Sequence, residues 1–349
     1  MSIDYSKMPY VEVYCDGDAL RDTIAAQGVA VVRGVFSAEE CAEAIRLANE
    51  YLANTFANVS DNVHMDDPTS WKNITKTFWA KHGGLLQHFG IGQSDFVWYA
   101  RSKATIIALF KTLWGAKHAR DLVVSFDGAN VTPPPEVTGT GWQPPSKMWL
   151  HTDQSERKRG LVSVQGMVNL VDVDVGDATL LVIRGSNVLH EAFFAHFSLK
   201  ANGDWQVLTH EHVNWFLARE YAPGKRCELM AVRARAGDAI FWDSRTIHMG
   251  LAPSRGRANA DRWRYVVYVA MFPRSTLSEV QLRKRRMYVN DGRTTNHWGT
   301  KLFAEKPHTY GAPLCALRNP PANKMALMLH GAASDYRINQ LSDTARQLV

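Results

Sequence analysis

The chain contains 349 residues, of which 46% are hydrophobic and 10% aromatic, and it carries a formal net charge of +6 at pH 7. This length and composition suffice for one sizeable core, so we expect a single domain over residues 1–349. The sequence has no run of about 18 apolar residues, no basic and apolar start typical of a secretory signal, and no Cys-x-x-Cys pair. We therefore expect a cytoplasmic protein without a membrane span, a zinc site or a disulfide framework.

The first zone, residues 1–120, alternates short strands with helices and is predicted to be a mixed, largely helical support region. Ser37 and Glu40 have the spacing of a capping box, and the helix that they open is predicted to continue through Tyr51. A further helix is predicted from Lys103 to Trp114. The proline-rich segment from Gly128 to Lys147 is predicted to be a long irregular loop, which is either a lid or a crossover.

The most informative triplet follows this loop. Trp149, His151 and Asp153 occupy every second position, so an extended strand would project all three to one face. A second histidine, His248, ends an apolar segment that starts at the Gly237-Asp238 turn. Two imidazoles and one carboxylate can bind one face of a non-haem Fe(II) and leave its other positions open for a keto-acid and O₂. A His-x-Asp triplet can also arise by chance, and most single histidines are structural.

Alternating strands predict a barrel over residues 121–272. The segment 161–173 alternates for most of its length, and further strands are predicted at Leu180–Ile183 and from Ile240 and Tyr265. Parity places Gln165 and Asn169 on one face. We expect the inner face for Gln165, where it would contact a ligand, although an outer, solvated position is the alternative.

A helical insertion at about 188–236 is predicted to form a wall of the pocket, with helices around Glu191–Phe197 and His210–Tyr221. The basic extension over 273–349 is predicted to begin with a helix near Ser275, where Thr276 and Glu279 have capping-box spacing. Its cluster at residues 283–286 fits a solvated helix face or, alternatively, a phosphate-binding patch. The following segment, 293–298, could close over a substrate or only pack. Eleven tryptophans indicate an aromatic-lined interior or pocket.

Several of these motifs together resemble the phytanoyl-CoA dioxygenase (PhyH-like) family. The resemblance lies in residues 28–41, 151–154, 176–180, 184–187 and 248–264. It implies a β-rich α+β fold with a double-stranded β-helix core (jelly roll, cupin-like) and flanking helices. It also implies Fe(II) as cofactor, 2-oxoglutarate and O₂ as co-substrates, and His151, Asp153 and His248 as the catalytic iron ligands. The turn at 184–187 departs from the family pattern, because Arg184-Gly185-Ser186-Asn187 replaces the usual Pro-Gly-Ser-His.

The resemblance also implies an arginine that binds the distal carboxylate of 2-oxoglutarate. A guanidinium suits this role because it forms two parallel charge-assisted bonds and stays charged. Four arginines compete for it, since the interval after His248 is longer than in the family. We predict Arg264, which opens the strand that continues with Tyr265, and keep Arg262 open because alternation places it on the same side. Gln165 is the third residue predicted to bind this co-substrate.

The activity implied is hydroxylation of an unidentified small molecule with release of succinate and CO₂. Gln154 and Arg245 are predicted to contact the substrate, although a strand-end amide and an ion pair with Asp243 are the alternatives. The net charge fits an anionic substrate as well as an ordinary basic protein. A membrane partner is not expected, and nucleic acid is not favoured but stays open. A cupin-like metalloenzyme without 2-oxoglutarate and a non-catalytic binding protein on the same scaffold are the alternative functions.

Overall fold

The computed structural model describes residues 4–57, 64, 67–76, 84–87, 90–139, 141–142, 149–299 and 341–349. Nine α-helices, numbered α1 to α9, lie in these ranges: Leu20–Gln27, Ala38–Ala57, Asp95–Arg101, Ala104–Trp114, Pro135–Thr138, His190–Phe197, His210–Leu217, Glu279–Asn290 and Asp343–Gln347. Short 3-10 helices occur at Tyr5–Lys7, Gly17–Ala19, Pro68–Lys76, Ile91–Gln93, Ala119–Asp121 and Arg274–Thr276. No helix of the described residues is long and apolar enough to cross a membrane.

The same ranges contain sixteen strands. In chain order, β1 to β16 are Tyr10–Val11, Val29–Val32, Leu85–Leu86, Leu122–Val124, Ala129–Thr132, His151–Thr152, Val164–Asn169, Thr179–Arg184, Gln206–Val207, Glu220–Ala222, Lys225–Arg226, Glu228–Val232, Ala239–Asp243, Ile247–Leu251, Arg264–Val269 and Met271–Pro273.

Two six-stranded sheets form the core. The first has the order β1-β12-β8-β14-β6-β9 and the second the order β2-β13-β7-β15-β5-β3. All pairs within them are antiparallel except β1 with β12. From β5 to β8 and from β12 to β15, successive strands of the chain alternate between the sheets, as in a jelly roll. The predicted double-stranded β-helix with flanking helices is confirmed.

The space between the sheets is filled by one face of each strand. Buried side chains from both sheets meet there, among them Met167, Val182, Ile240, Trp242 and Val266. Because alternate residues of a strand share a face, Gln165 and Asn169 lie on the same inner face as Met167. The predicted common face of these two polar residues is thus confirmed.

Helices cover the outer faces. Apolar residues of α1 to α4 pack against outward residues of the second sheet such as Phe241 and Val267, and the insertion helices α6 and α7 pack against the first sheet through Phe193 and Phe216. The Ser37–Glu40 capping box is confirmed, since the Ser37 backbone N–H donates to Glu40 Oε2 at 3.0 Å and the Glu40 N–H donates to Ser37 Oγ at 3.2 Å.

One glycine joins the end of the first helix to the residue that precedes β14. Gly28 ends α1 with a φ of 81°, and a Cβ there would lie 2.4 Å from Thr246 Oγ1. The Thr246 hydroxyl instead donates to the Gly28 carbonyl at 2.8 Å. A side chain at this position would therefore combine backbone strain with a clash two residues before His248.

Two local predictions were wrong, and the solvated face predicted for residues 283–286 holds for Arg283, Lys284 and Arg286 but not for Arg285. The segment after Gly128 is not irregular throughout, because it contains β5 and α5, while residues 140 and 143–148 lie outside the described residues. The helix predicted near Ser275 begins at Glu279, because Ser278 and Gln281 form the capping box instead. Arg285 is fully buried rather than solvated, and its guanidinium donates to the backbone carbonyls of Val124, Gly299, Leu348 and Val349.

Candidate metal centre

Two histidines and one aspartate meet inside the barrel at one end of the strands. His151 lies in β6, directly opposite His248 in β14, and Asp153 follows the end of β6. One ligand atom from each of the three lies within 4.8 Å of the other two. His151 Nε2 is 3.7 Å from Asp153 Oδ1, and His248 Nε2 is 3.3 Å from Asp153 Oδ2. The three residues that the sequence motif predicted as ligands therefore lie close together in the structure.

The hydrogen bonds of both imidazoles leave the Nε2 atoms available. Nδ1 of His151 lies 3.0 Å from the carbonyl of Trp149, and Nδ1 of His248 lies 2.9 Å from the carbonyl of Thr246. A carbonyl can only accept, so each Nδ1 carries a proton, and the neutral form of each ring then presents a lone pair at Nε2. This arrangement is the one that orients histidine ligands in metal sites.

The charges of the three residues also suit a cation. Burial lowers the pKa of His151 to about 4, with the neighbouring His248 as the next cause, so this imidazole is neutral at neutral pH. Burial alone would raise the pKa of Asp153, but the imidazoles of His297, His151 and His248 hold it well below its usual range. Two imidazole nitrogen donors and one buried carboxylate form the ligand set that Fe(II) takes in facial triads.

Gln165 holds the Asp153 carboxylate in position with a hydrogen bond. Its amide Nε2 donates to Asp153 Oδ2 at 2.7 Å, and the backbone N–H of Asp153 donates to the Ser244 carbonyl at 3.0 Å. The structure thus places Gln165 on the inner wall, as the strand parity predicted, with its amide on a candidate iron ligand.

Arg264 and Arg262 have different surroundings. Arg262 Nη1 contacts Asp174 at 3.1 Å and Asp177 at 2.8 Å, and it also donates to the Asp172 carbonyl. Arg264 extends along the inner wall to Met167, where its Nη2 lies 3.9 Å from the thioether sulfur. The buried Nε of Arg264 has no hydrogen-bond partner among the described residues.

A second buried donor without a partner among the described residues lies on β7, the strand next to that of Arg264. Nδ2 of Asn169 is buried and also lacks a hydrogen-bond partner in the described part of the chain. Asn169 is paired with Val266, one inward-facing step from Arg264 on β15. Buried polar groups are normally satisfied, so this pair fits a polar ligand such as a carboxylate inside the barrel. Arg262 offers no such fit because its cation is already engaged.

Gln154 and Arg245, the two residues predicted to contact the substrate, bind other residues of the protein instead. Gln154 is fully buried, donates to the carbonyls of Lys158 and Gly160, and accepts from the Ser244 hydroxyl. Arg245 forms an ion pair with the buried Asp243, with an Nη2–Oδ2 distance of 2.6 Å. Both side chains are therefore better explained by structural hydrogen bonds than by substrate contact.

His297 is a further polar residue at the site, and no sequence motif predicts it. Its Nε2 is 3.9 Å from Asp153 Oδ2, is buried and has no hydrogen-bond partner among the described residues. His297 belongs to the segment 293–298, which was predicted either to close over a substrate or to pack. No local pattern marks it, because its approach to Asp153 depends on the path of the chain after α8.

Comparisons with known proteins agree with this geometry. The profile of a family described as Phytanoyl-CoA dioxygenase (PhyH) matches residues 24–257, a range that includes all three residues of the candidate centre and ends before Arg264. The Ava biosynthesis cluster protein O of Aspergillus versicolor is 26% identical over 298 residues, covering 81% of this chain and 87% of that protein.

Two solved structures are similar in fold. The hypothetical protein JW0805 of Escherichia coli has a TM-score of 0.53 at 14% identity, covering 87% of this chain and 81% of that one. The epimerase SnoN, solved with Fe3+, α-ketoglutarate and nogalamycin RO, has a TM-score of 0.43 at 18% identity, covering 73% of this chain and 83% of that one.

Proposed function

The chain belongs to the phytanoyl-CoA dioxygenase family of Fe(II)- and 2-oxoglutarate-dependent enzymes, and from this premise we propose that it hydroxylates a small organic molecule with release of succinate and CO₂. The observation that carries the proposal is the set of His151 Nε2, His248 Nε2 and the Asp153 carboxylate within 4.8 Å of one another. The retained carboxylate favours hydroxylation over halogenation, because a ligand oxygen occupies the position that a halide would need.

The residues have separable tasks in this proposal. His151, His248 and Asp153 would hold the iron, and Gln165 fixes the carboxylate through its 2.7 Å hydrogen bond. When bound, iron and 2-oxoglutarate together supply the oxidising chemistry, with O₂ as the oxidant. The protein contributes orientation, a neutral His151 imidazole and a buried site that excludes water.

We assign the distal carboxylate of 2-oxoglutarate to Arg264. The reach of its guanidinium to Met167 supports this role, because Met167 is the next inward-facing residue after Gln165 on β7. Two inward-facing positions are about 7 Å apart along a strand, so the guanidinium lies one such step from the residue that braces Asp153. The unpartnered Asn169 amide would donate a further hydrogen bond to the same carboxylate.

The substrate is proposed to be a small natural product or its precursor. The relative from Aspergillus versicolor carries the name of a biosynthesis cluster, which supports this class. The name of the family is not itself a reason to expect phytanoyl-CoA, because related folds share the metal chemistry and differ in the pocket.

The test measures succinate released from 2-oxoglutarate by chelator-treated protein after addition of Fe(II), with and without pooled metabolites. We expect release that requires Fe(II) and rises with one pool, and no release from His151→Ala. His210→Ala is the matched control, because this imidazole is exposed on α7 and should leave release unchanged. Equal release from His151→Ala would remove His151 from the iron ligands. O₂ consumption that is independent of 2-oxoglutarate would instead favour the cupin-like alternative.

A further inference from the structure

Two exposed tryptophans flank the metal ligand His151. Seven large hydrophobic side chains of the described residues are exposed, and only Trp149 (37%) and Trp205 (48%) among them are aromatic. Trp149 stacks on the His151 ring with a centroid distance of 5.0 Å and an angle of 17°, and the Trp205 ring lies 5.8 Å from it. An exposed indole leaves a large apolar surface in contact with water. Two such side chains beside a candidate metal ligand therefore indicate a surface that binds another molecule.

The strand ladder explains why both indoles reach the same place. Trp149 precedes His151 by two residues, and Trp205 precedes Val207, the residue paired with His151, by two residues. Alternate residues of a strand share a face. Trp149 and Trp205 lie just before β6 and β9, and their ring contacts with His151 place both indoles on the side of the first sheet that carries the candidate metal ligands.

His297 reaches the same site from another segment. Its buried Nε2 has no hydrogen-bond partner among the residues that the structure describes and lies 3.9 Å from Asp153 Oδ2. The segment is pinned to the core, because Gly92 N–H donates to Thr294 Oγ1 at 3.0 Å and Thr295 N–H donates to the Phe126 carbonyl at 2.8 Å.

Lys158 joins the segments that carry Trp205 and His297. Its ammonium is 2.8 Å from Asp204 Oδ2 and 3.4 Å from the centroid of the Trp298 ring. One cation thereby connects the immediate neighbours of both residues. Asp204 neutralises it, and the adjacent Arg157 donates to the Gly203 carbonyl, so these charges are engaged within the protein.

We propose that Trp149, Trp205 and His297 form a substrate subsite, the metal rim, which takes an uncharged molecule with a flat aromatic ring and a polar atom beside that ring. The indole faces stack with the ring, and His297 Nε2 forms a hydrogen bond with the polar atom. This inference rests on the proposed function, since it specifies the substrate of the same centre.

The probes are three molecules of similar size: indole-3-acetamide, cyclohexylacetamide without the aromatic ring, and indole-3-acetate with a negative charge. Affinities are measured by saturation-transfer NMR on the full chain. We expect indole-3-acetamide to bind more tightly than either of the others. Tighter binding of the acetate would overturn the uncharged class, and equal binding of the cyclohexyl compound would overturn stacking.

Variants identify the residues. Trp205→Ala should weaken indole-3-acetamide roughly three- to tenfold, the range of an aromatic pair, while Trp205→Phe keeps most of the affinity. His297→Ala should weaken indole-3-acetamide but leave plain indole unchanged, a difference that a merely structural role would not produce. Val175→Ala, an exposed apolar residue in the β7–β8 connection, is the control. Unchanged affinity in Trp205→Ala would overturn the subsite.

Proximity to the metal is tested with Mn(II)-loaded protein, in which the ring protons of indole-3-acetamide should broaden relative to Zn(II)-loaded protein. Binding of Mn(II) is measured separately by EPR. Failure of Mn(II) to bind contradicts the proposed function, whereas the probe affinities need no metal and decide on the subsite by themselves. Mn(II) binding without broadening of the ring protons would overturn the metal rim.

Discussion

Replacing Arg264 by alanine should weaken the binding of 2-oxoglutarate far more than replacing Arg262. The Arg264 guanidinium lies on the inner wall with a buried, unpartnered Nε, so a carboxylate there gains charge-assisted hydrogen bonds without breaking an existing ion pair. Truncating one partner of such a pair costs about 2–4 kcal/mol. At 1.4 kcal/mol for each factor of ten, this is roughly a 30- to 700-fold higher KM for 2-oxoglutarate.

The assay follows succinate release over a range of 2-oxoglutarate concentrations, with thermal unfolding of each variant as a control for folding. Arg264→Lys should recover part of the loss, because it keeps the charge but not the two-pronged geometry. Arg262→Ala should leave the KM for 2-oxoglutarate unchanged. It should lower the free energy of unfolding by about 1–3 kcal/mol, because Asp174 and Asp177 lose their bonds to the guanidinium.

The opposite pattern would refute the reasoning. A raised KM in Arg262→Ala together with an unchanged KM in Arg264→Ala would mean that 2-oxoglutarate displaces the aspartates from Arg262. Arg264 would then be a strand-end residue without a role in binding the co-substrate.

Two further predictions concern residues that act through others. Gln165→Leu should lower the affinity for Mn(II), used in place of Fe(II), roughly 10- to 100-fold in EPR titrations, because Asp153 loses its orienting hydrogen bond; an unchanged affinity would show that Gln165 does not position the ligand. Arg285→Met should lower the free energy of unfolding in urea by about 3 kcal/mol or more, because several backbone carbonyls lose their donor. Arg283→Met, on the exposed face of α8, should change it by about 0.5 kcal/mol or less. Equal effects of the two substitutions would contradict the structural role of Arg285.

The sequence predicted the barrel and its inner face because both depend on local periodicity. Alternation over 161–173 predicted β7, and the same parity placed Gln165 and Asn169 together on the inner face. The capping box at Ser37 also relies on a spacing of three residues and was confirmed. Such signals are physical consequences of the strand and helix repeats, so they can be read without tertiary information.

The environment of the charged residues could not be predicted in this way. Arg283 and Arg285 belong to one basic cluster, yet the first is exposed and the second fully buried. They lie on different faces of α8, and the face of Arg285 packs against the C-terminal residues. His297 lies close to Asp153 in space because of the path that the chain takes after α8. Both outcomes depend on contacts between distant segments, for which composition and spacing give no signal.

The three candidate ligands are not held with equal firmness. His151 and His248 are a directly opposed pair of an antiparallel ladder, and each Nδ1 is fixed by the carbonyl two residues upstream. Their rings lie 4.4 Å apart, so the sheet itself arranges both nitrogen donors. Asp153 lies beyond the end of β6 and depends on the Gln165 amide and on its own N–H bond to Ser244. The carboxylate is therefore the ligand whose position is most open to adjustment by neighbouring side chains. Gln165 and His297 both approach its Oδ2, whereas its Oδ1 lies toward His151. His297, which we propose as part of the substrate subsite, thus lies beside the same carboxylate oxygen that Gln165 positions, so a substrate bound at the metal rim would act next to the most adjustable of the three ligands.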